Sequence, residues 1–201
     1  MFYTTAEGHP LPHDPFKAIV SPRPIGWIST RGAAGDNLAP YSFFNAVADA
    51  PPQVVFSSTA QKADRSFGKD SVAQIGETGV FCVNIVSYVL RDAMNTSSAP
   101  LPAGTDEFIA AGLEKAECNT IDCPRVAAAP AALECRMLAM QHLKGDNNIL
   151  VIGEVTAVHI QDALLRDGML DVTGYQPLSR LGYRDYAAVE TVFPLSRPGR
   201  N

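Results

Sequence analysis

The 201-residue sequence is poor in the features that mark specialised classes of protein. It has one tryptophan and four cysteines, charged residues make up only 18% of it, and nowhere do 18 apolar residues run together. The missing apolar run excludes a membrane-spanning helix. Lys plus Arg number 16 against 21 Asp plus Glu, a formal charge of −5, so the basic footprint that general nucleic-acid binding requires is lacking. Cys82, Cys118, Cys123 and Cys135 form neither a CxxC pair nor a disulfide framework. Cys118 and Cys123 resemble half of a metal site, but no second Cys or His pair stands at a matching spacing. The N-terminus shows no basic stretch followed by an apolar one, so the expectation is a reduced, cytoplasmic protein without a secretory leader. There is no GxGxxG, no Walker loop and no GxSxG elbow. Ser66-Phe67-Gly68-Lys69 matches SxxK but has no SDN or KTG beside it, and prolines between His9 and His13 forbid the helix that would aim both at one metal.

What is present is an ordinary globular composition, 46% hydrophobic with mean hydropathy +0.01, in a length suited to a single domain over 1–201. Five of the 15 prolines fall within the first 24 residues, which predicts an extended, irregular opening. Strand-like runs follow at Ile25–Thr30, Leu38–Phe44, Gln53–Ser58, Val80–Val86, Ala132–Leu143 and Ile149–His159, with Gly- and Asn-rich turns between them. A helix capped by Asp70 or Ser71 should end near Gly76 or Gly79, and short helices are expected at Tyr88–Met94 and Phe108–Leu113. The class is mostly β (α+β), a barrel with short peripheral helices.

Small hydroxyl and amide side chains gather where the strands end: Ser29, Thr30, Ser42, Asn45, Ser57, Ser58, Thr59, Ser66, Ser71 and Asn84. Such residues serve as turns and caps. Beside a lysine at a helix N-terminus, as in Lys69-Asp70-Ser71, they also suit a phosphate dianion. In that second reading Asp70 caps the helix or pairs with a cation.

Four ordered blocks then carry a resemblance. They are Ser21-Pro22-Arg23-Pro24-Ile25-Gly26-Trp27-Ile28-Ser29-Thr30, Asn37 to Asn45, Pro51-Pro52 and Lys69-Asp70-Ser71, with Arg180-Leu181-Gly182-Tyr183-Arg184-Asp185-Tyr186 closing the pattern. Together they resemble the flavin reductase-like family, the FMN-binding split-barrel proteins related to flavoredoxin. The resemblance implies a Greek-key split β-barrel, a homodimer and FMN near the subunit interface. It implies that Ser29 and Thr30 face the cofactor and that Tyr41, Ser42 and Asn45 line the isoalloxazine ring. Ser57, Ser58 and Thr59 end the next strand of the site, and Lys69, Asp70 and Ser71 match the family's phosphate block, with Ser71 where Thr is usual. Lys62, with Arg65 in the same loop, would assist at the phosphate. Trp27 would either stack near the ring or fill the core, and Arg180 would either reach the cofactor or pin the C-terminal segment.

The pattern departs from the family at one place. Members that use nicotinamides often carry Gly-Asp-His before the late strand, whereas this chain has Gly145-Asp146-Asn147-Asn148. The departure bears on nicotinamide handling and leaves the phosphate and ring blocks untouched. The functional expectation is an FMN oxidoreductase that takes electrons from NADH or NADPH, either as a flavin reductase or in electron transfer. Its partner would be an acceptor protein or a monooxygenase component. Two alternatives are a non-catalytic FMN-binding, storage or sensing protein, and a relative that has lost flavin and binds haem or a peptide.

Overall fold

The computed structural model describes residues 1–59, 69–102, 104–196 and 198–199. Its strands are β1 (Arg23–Pro24), β2 (Gly26–Gly32), β3 (Gly35–Tyr41), β4 (Phe44–Asp49), β5 (Pro52–Ser58), β6 (Val80–Ile85), β7 (Lys115–Glu117), β8 (Pro124–Val126), β9 (Ala131–His142), β10 (Ile149–Ile160), β11 (Leu165–Arg166), β12 (Met169–Leu170), β13 (Leu178–Arg180) and β14 (Tyr186–Ala188). The α-helices are α1 (Phe16–Ile19), α2 (Asp70–Thr78), α3 (Arg91–Ser97), α4 (Glu107–Ala110) and α5 (Val172–Tyr175). Among the described residues, no helix is long and apolar enough to cross a membrane.

Seven strands form one antiparallel sheet in the order β3-β2-β6-β9-β10-β5-β4. The sheet curls until its edges meet. Tyr41 of β3 packs on Phe56 of β5, ring centroids 4.9 Å apart, and the Phe44 ring of β4 lies against Gly26 of β2, where a Cβ would come within 2.8 Å of it. The result is the expected mostly β, Greek-key split barrel with short peripheral helices. Its interior holds Ile28, Val54, Phe56, Phe81, Val83 and Val151, and α2 closes one end by inserting Val72 and Ile75. Each fully buried large apolar side chain contributes about 1.5–3 kcal/mol relative to exposure. At Gly153, where the β9–β10 register shifts, an added Cβ would stand 2.5 Å from Phe81 Cζ, so the bare backbone makes room for that ring.

The predicted run Leu38–Phe44 divides at Ser42 and Phe43, where the chain turns the barrel corner from β3 into β4. The N-cap of α2 is Lys69 rather than Asp70 or Ser71, and Gly79, at φ 74°, ends the helix as expected. The Tyr88–Met94 helix begins as a 3₁₀ turn over Tyr88–Leu90, and α4 stops at Ala110. A second apolar layer outside the barrel packs Ile25, Trp27, Leu38, Met94, Phe108 and Leu178 together. Through this layer β13 and β14 join β1 in a small sheet that holds the proline-rich N-terminal segment in place.

Candidate functional site

Strand alternation separates the predicted site residues of β2. Successive residues point to opposite faces, so Trp27 and Ser29 face the outer layer while Thr30 faces α2. Trp27 is fully buried and its indole Nε1 donates to Ser97 Oγ over 2.8 Å, the arrangement of a core aromatic. Ser29 Oγ donates to Pro124 O over 2.6 Å and accepts from Asn84 Nδ2 at 3.0 Å. Thr30 Oγ1 donates to Gln74 Oε1 over 2.5 Å and accepts from Asn37 Nδ2 at 3.2 Å. The other Asn37 amide hydrogen goes to Ser71 Oγ, 2.9 Å away. Thr30 therefore sits behind the cavity wall, in a buried chain running Gln74–Thr30–Asn37–Ser71.

Ser71 stands at the wall of a surface groove made of two adjoining cavities. One, of about 280 Å³, is lined by Asn37, Tyr41, Lys69, Asp70, Ser71 and Glu107, with the Ser97–Pro100 segment as its far wall. The other, of about 200 Å³, is lined by Lys17, Arg23, Ser42, Phe43, Thr59 and Arg180, and it shares Pro40, Tyr41 and Lys69 with the first. The groove thus brings together Tyr41, Ser42, Thr59, Lys69, Asp70, Ser71 and Arg180 from four separate stretches of chain. Asn45 is exposed on β4, with its Oδ1 accepting from Ala46 N, while Ser57 is half-buried and Ser58 buried on β5; none of the three lines the groove. Lys62, Arg65 and Ser66 lie outside the described residues. A further cavity of about 320 Å³, lined by Tyr88, Arg91, Leu178 and Tyr186 among others, contains none of the predicted site residues.

The smaller cavity is strongly cationic. Lys17, Arg23, Lys69 and Arg180 line it, and among the described residues no carboxylate does. Arg23 and Arg180 occupy opposed positions on β1 and β13. Burial, then the charge of Arg180, lowers the Arg23 guanidinium below its ordinary range, as expected where positive charges crowd together. Arg23 is anchored through Lys17 O, Val20 O and Leu181 O, and its Nε is buried without a partner. Arg180 bonds Tyr186 Oη and Tyr183 O and lies over the Tyr186 ring. It therefore both lines the cavity and pins the C-terminal segment. Sequence reasoning missed Lys17 and Arg23 as cavity residues, although Arg23 sits inside the Ser21–Pro24 block as a charge bounded by prolines.

Two further observations point to a ligand. The hydroxyls of Tyr41 and Ser58 are buried and make no hydrogen bond of normal geometry. Burial pushes the Tyr41 phenol up to about 12, and the neighbouring Ser71 and Ser58 hydroxyls offset only part of that shift. Buried polar groups are rarely left unmatched, and one without a partner costs about 1–3 kcal/mol. In addition, the N-cap of α2 is Lys69, whose own side chain makes no cap hydrogen bond to the helix. Its first amides are oriented for an anion.

The family model described as flavin reductase like domain matches residues 20–179, and the chain belongs to this family. A protein of Deinococcus radiodurans, itself uncharacterized, is 38% identical over 191 residues, covering 90% of this chain and 82% of its own length. The crystal structure of nitrilotriacetate monooxygenase component B from Bacillus cereus superposes with a TM-score of 0.86 at 30% identity, covering 97% of this chain and 98% of that one. A protein with a split barrel domain from Shewanella frigidimarina shares the fold at a TM-score of 0.79 and 21% identity, covering 90% of this chain and 89% of the other. Membership in this family supports a flavin-related redox function.

Proposed function

We propose that the groove binds FMN and that the protein is an FMN-dependent oxidoreductase supplied with electrons by NADH or NADPH. The observation that carries this reading is the meeting, at Tyr41, of a cavity with four cations and no described carboxylate and a second cavity where hydroxyl and amide groups stand beside Lys69, Asp70 and Glu107. The residues fit the cofactor. Lys69 at the N-terminus of α2, Lys17, Arg23 and Arg180 match a phosphate dianion by charge. Ser71 accepts from Asn37 at the groove wall, and Tyr41, which lines both cavities, offers a buried hydroxyl for ribityl or ring oxygens. When bound, FMN supplies the hydride and electron chemistry. The protein's part is to hold the phosphate, orient the ring and donate hydrogen bonds where negative charge collects.

The active form in this reading is a homodimer. The exposed apolar residues Val47 on β4, Leu138 on β9, and Val158 and Ile160 on β10 support it, since they lie on strands of one sheet that would otherwise leave apolar surface in water. The similarity to a monooxygenase component suggests a partner oxygenase that consumes reduced flavin. A second reading, FMN storage or sensing without turnover, is favoured by the β9–β10 turn. There Asn147 sits at φ 54° and Asn148 Nδ2 bonds Lys144 O, where nicotinamide-using relatives often carry histidine. Absorbance spectra of the FMN-loaded protein, taken anaerobically before and after NADH and then NADPH, separate the two. Bleaching by either nicotinamide supports the oxidoreductase, and a persistent flavin band under both supports storage.

A further inference from the structure

The strands β7 and β8 form a hairpin whose register pairs Glu117 with Pro124. The next opposed positions are Cys118 and Cys123, and Cys118 N donates to Cys123 O over 3.1 Å. Directly opposed residues of an antiparallel pair have Cα atoms about 4.5–5.5 Å apart, inside the range of about 4.4–6.8 Å that a disulfide spans. Their side chains share one face, and there both pack with Cys82.

The four residues between them are held firmly. The fully buried Glu134 carboxylate accepts from Asn119 N at 2.6 Å and Thr120 N at 2.7 Å, while Arg31 bonds Glu117 and Asp122 on the other side. The two thiols differ in character. Cys118 is half-buried and therefore reachable, whereas Cys123 is fully buried with its Sγ directed at Ser29 O, 3.2 Å away. The thiols of Cys123 and Cys82 lower the Cys118 thiol against burial and the Glu134 carboxylate, while the same contacts and burial push Cys123 and Cys82 up. A reachable thiol opposite a buried one is the arrangement of a nucleophilic and a resolving cysteine. Among the described residues, no group of three or more His, Cys, Asp or Glu side chains is placed to hold a metal ion.

We propose that Cys118 and Cys123 form a reversible redox pair, with Cys118 as the nucleophile and Cys123 as the resolving thiol, oxidised by a hydroperoxide. The Cys118 thiolate attacks one peroxide oxygen, the O–O bond breaks, and the departing hydroxide takes a proton to become water, leaving a sulfenic acid. The Cys123 sulfur then attacks the Cys118 sulfur. The S–O bond breaks, the S–S bond forms, and the Cys123 proton leaves with the hydroxyl as a second water. Two thiols lose two electrons, and hydrogen peroxide is reduced to two waters. The pair shares no residue with the groove, so it stands apart from the flavin reading.

The test treats the reduced full-length protein with stoichiometric hydrogen peroxide, alkylates the remaining thiols under denaturing conditions and maps peptides by mass spectrometry. The expected product is a peptide linking Cys118 to Cys123, two hydrogens lighter than the dithiol and restored by dithiothreitol. Cys123→Ser should instead accumulate a sulfenic acid at Cys118 that dimedone traps. On the native protein, iodoacetamide should label Cys118 at least about ten-fold faster than Cys135. Four alkylatable thiols after peroxide, a bond from Cys118 to Cys82, or sulfinic acid at Cys118 without cross-link would each overturn the proposal. The wild-type peptide map decides the matter even if a variant fails to fold.

Discussion

The ammonium of Lys69 stands 5.7 Å from the centre of the Tyr41 ring, at the junction of the two cavities. A cation over an aromatic face is held there electrostatically. The contact fixes the N-cap of α2 against β3 and sets a positive charge at the N-terminus of the helix.

Lys69→Glu should therefore weaken FMN binding by about 1–3 kcal/mol, through loss of a charge-assisted hydrogen bond and added repulsion. Fluorescence titration of FMN against both proteins checks this. Unchanged affinity would put the phosphate elsewhere.

Tyr41→Phe removes a buried hydroxyl that makes no hydrogen bond of normal geometry. Deleting it should stabilise the ligand-free protein by about 1 kcal/mol and cost FMN affinity by a similar amount. Urea unfolding read beside FMN titration tests both halves. A variant less stable without FMN would show that the phenol has another partner.

Most of the barrel was legible in the sequence because β2, β5, β6, β9 and β10 each carry enough apolar residues to declare a strand unaided. The short strands were not. Those of β7, β8, β13 and β14 hold three residues each and exist by pairing, which only the folded chain supplies. The groove divided in the same way. Lys69, Ser71 and Tyr41 were readable because they sit at element ends, where polar residues are conspicuous. Trp27 and Ser29 fell on the other face of β2 from the groove, because alternation along a buried strand hides which face is which until its neighbours are known. Lys17 and Arg23 belong to a proline-rich segment with no period to read, and they reach the site only because Arg23 ties that segment's carbonyls to Leu181.

Glu134 makes the barrel sensitive to acid. Burial alone would raise its carboxyl, but the Asn119 and Thr120 amides, the Thr120 hydroxyl and His159 outweigh burial and hold it at about 2, below the ordinary 4.5. A depressed carboxyl contributes stability that is complete above its unfolded value and lost as pH falls toward its folded one. The contribution at neutral pH is on the order of 3 kcal/mol. Urea unfolding at pH 7, 5 and 3 should show this loss concentrated below about pH 4.5, and Glu134→Gln should flatten it. An equal slope in the variant would place the acid sensitivity in other groups.

Gly153→Ala should destabilise the protein by about 1–3 kcal/mol, since its Cβ would have to displace the Phe81 ring from the barrel interior. Denaturant midpoints give the comparison. A neutral result would mean that the register shift in β10 relaxes freely.

The most direct measurement compares equilibrium affinities of the purified protein for FMN and for riboflavin, which differ only in the phosphate. If Lys69, Arg23, Lys17 and Arg180 form the phosphate site, FMN binds at least about ten-fold more tightly, and added salt narrows the gap. Equal affinities, or no uptake of either flavin, would contradict the account.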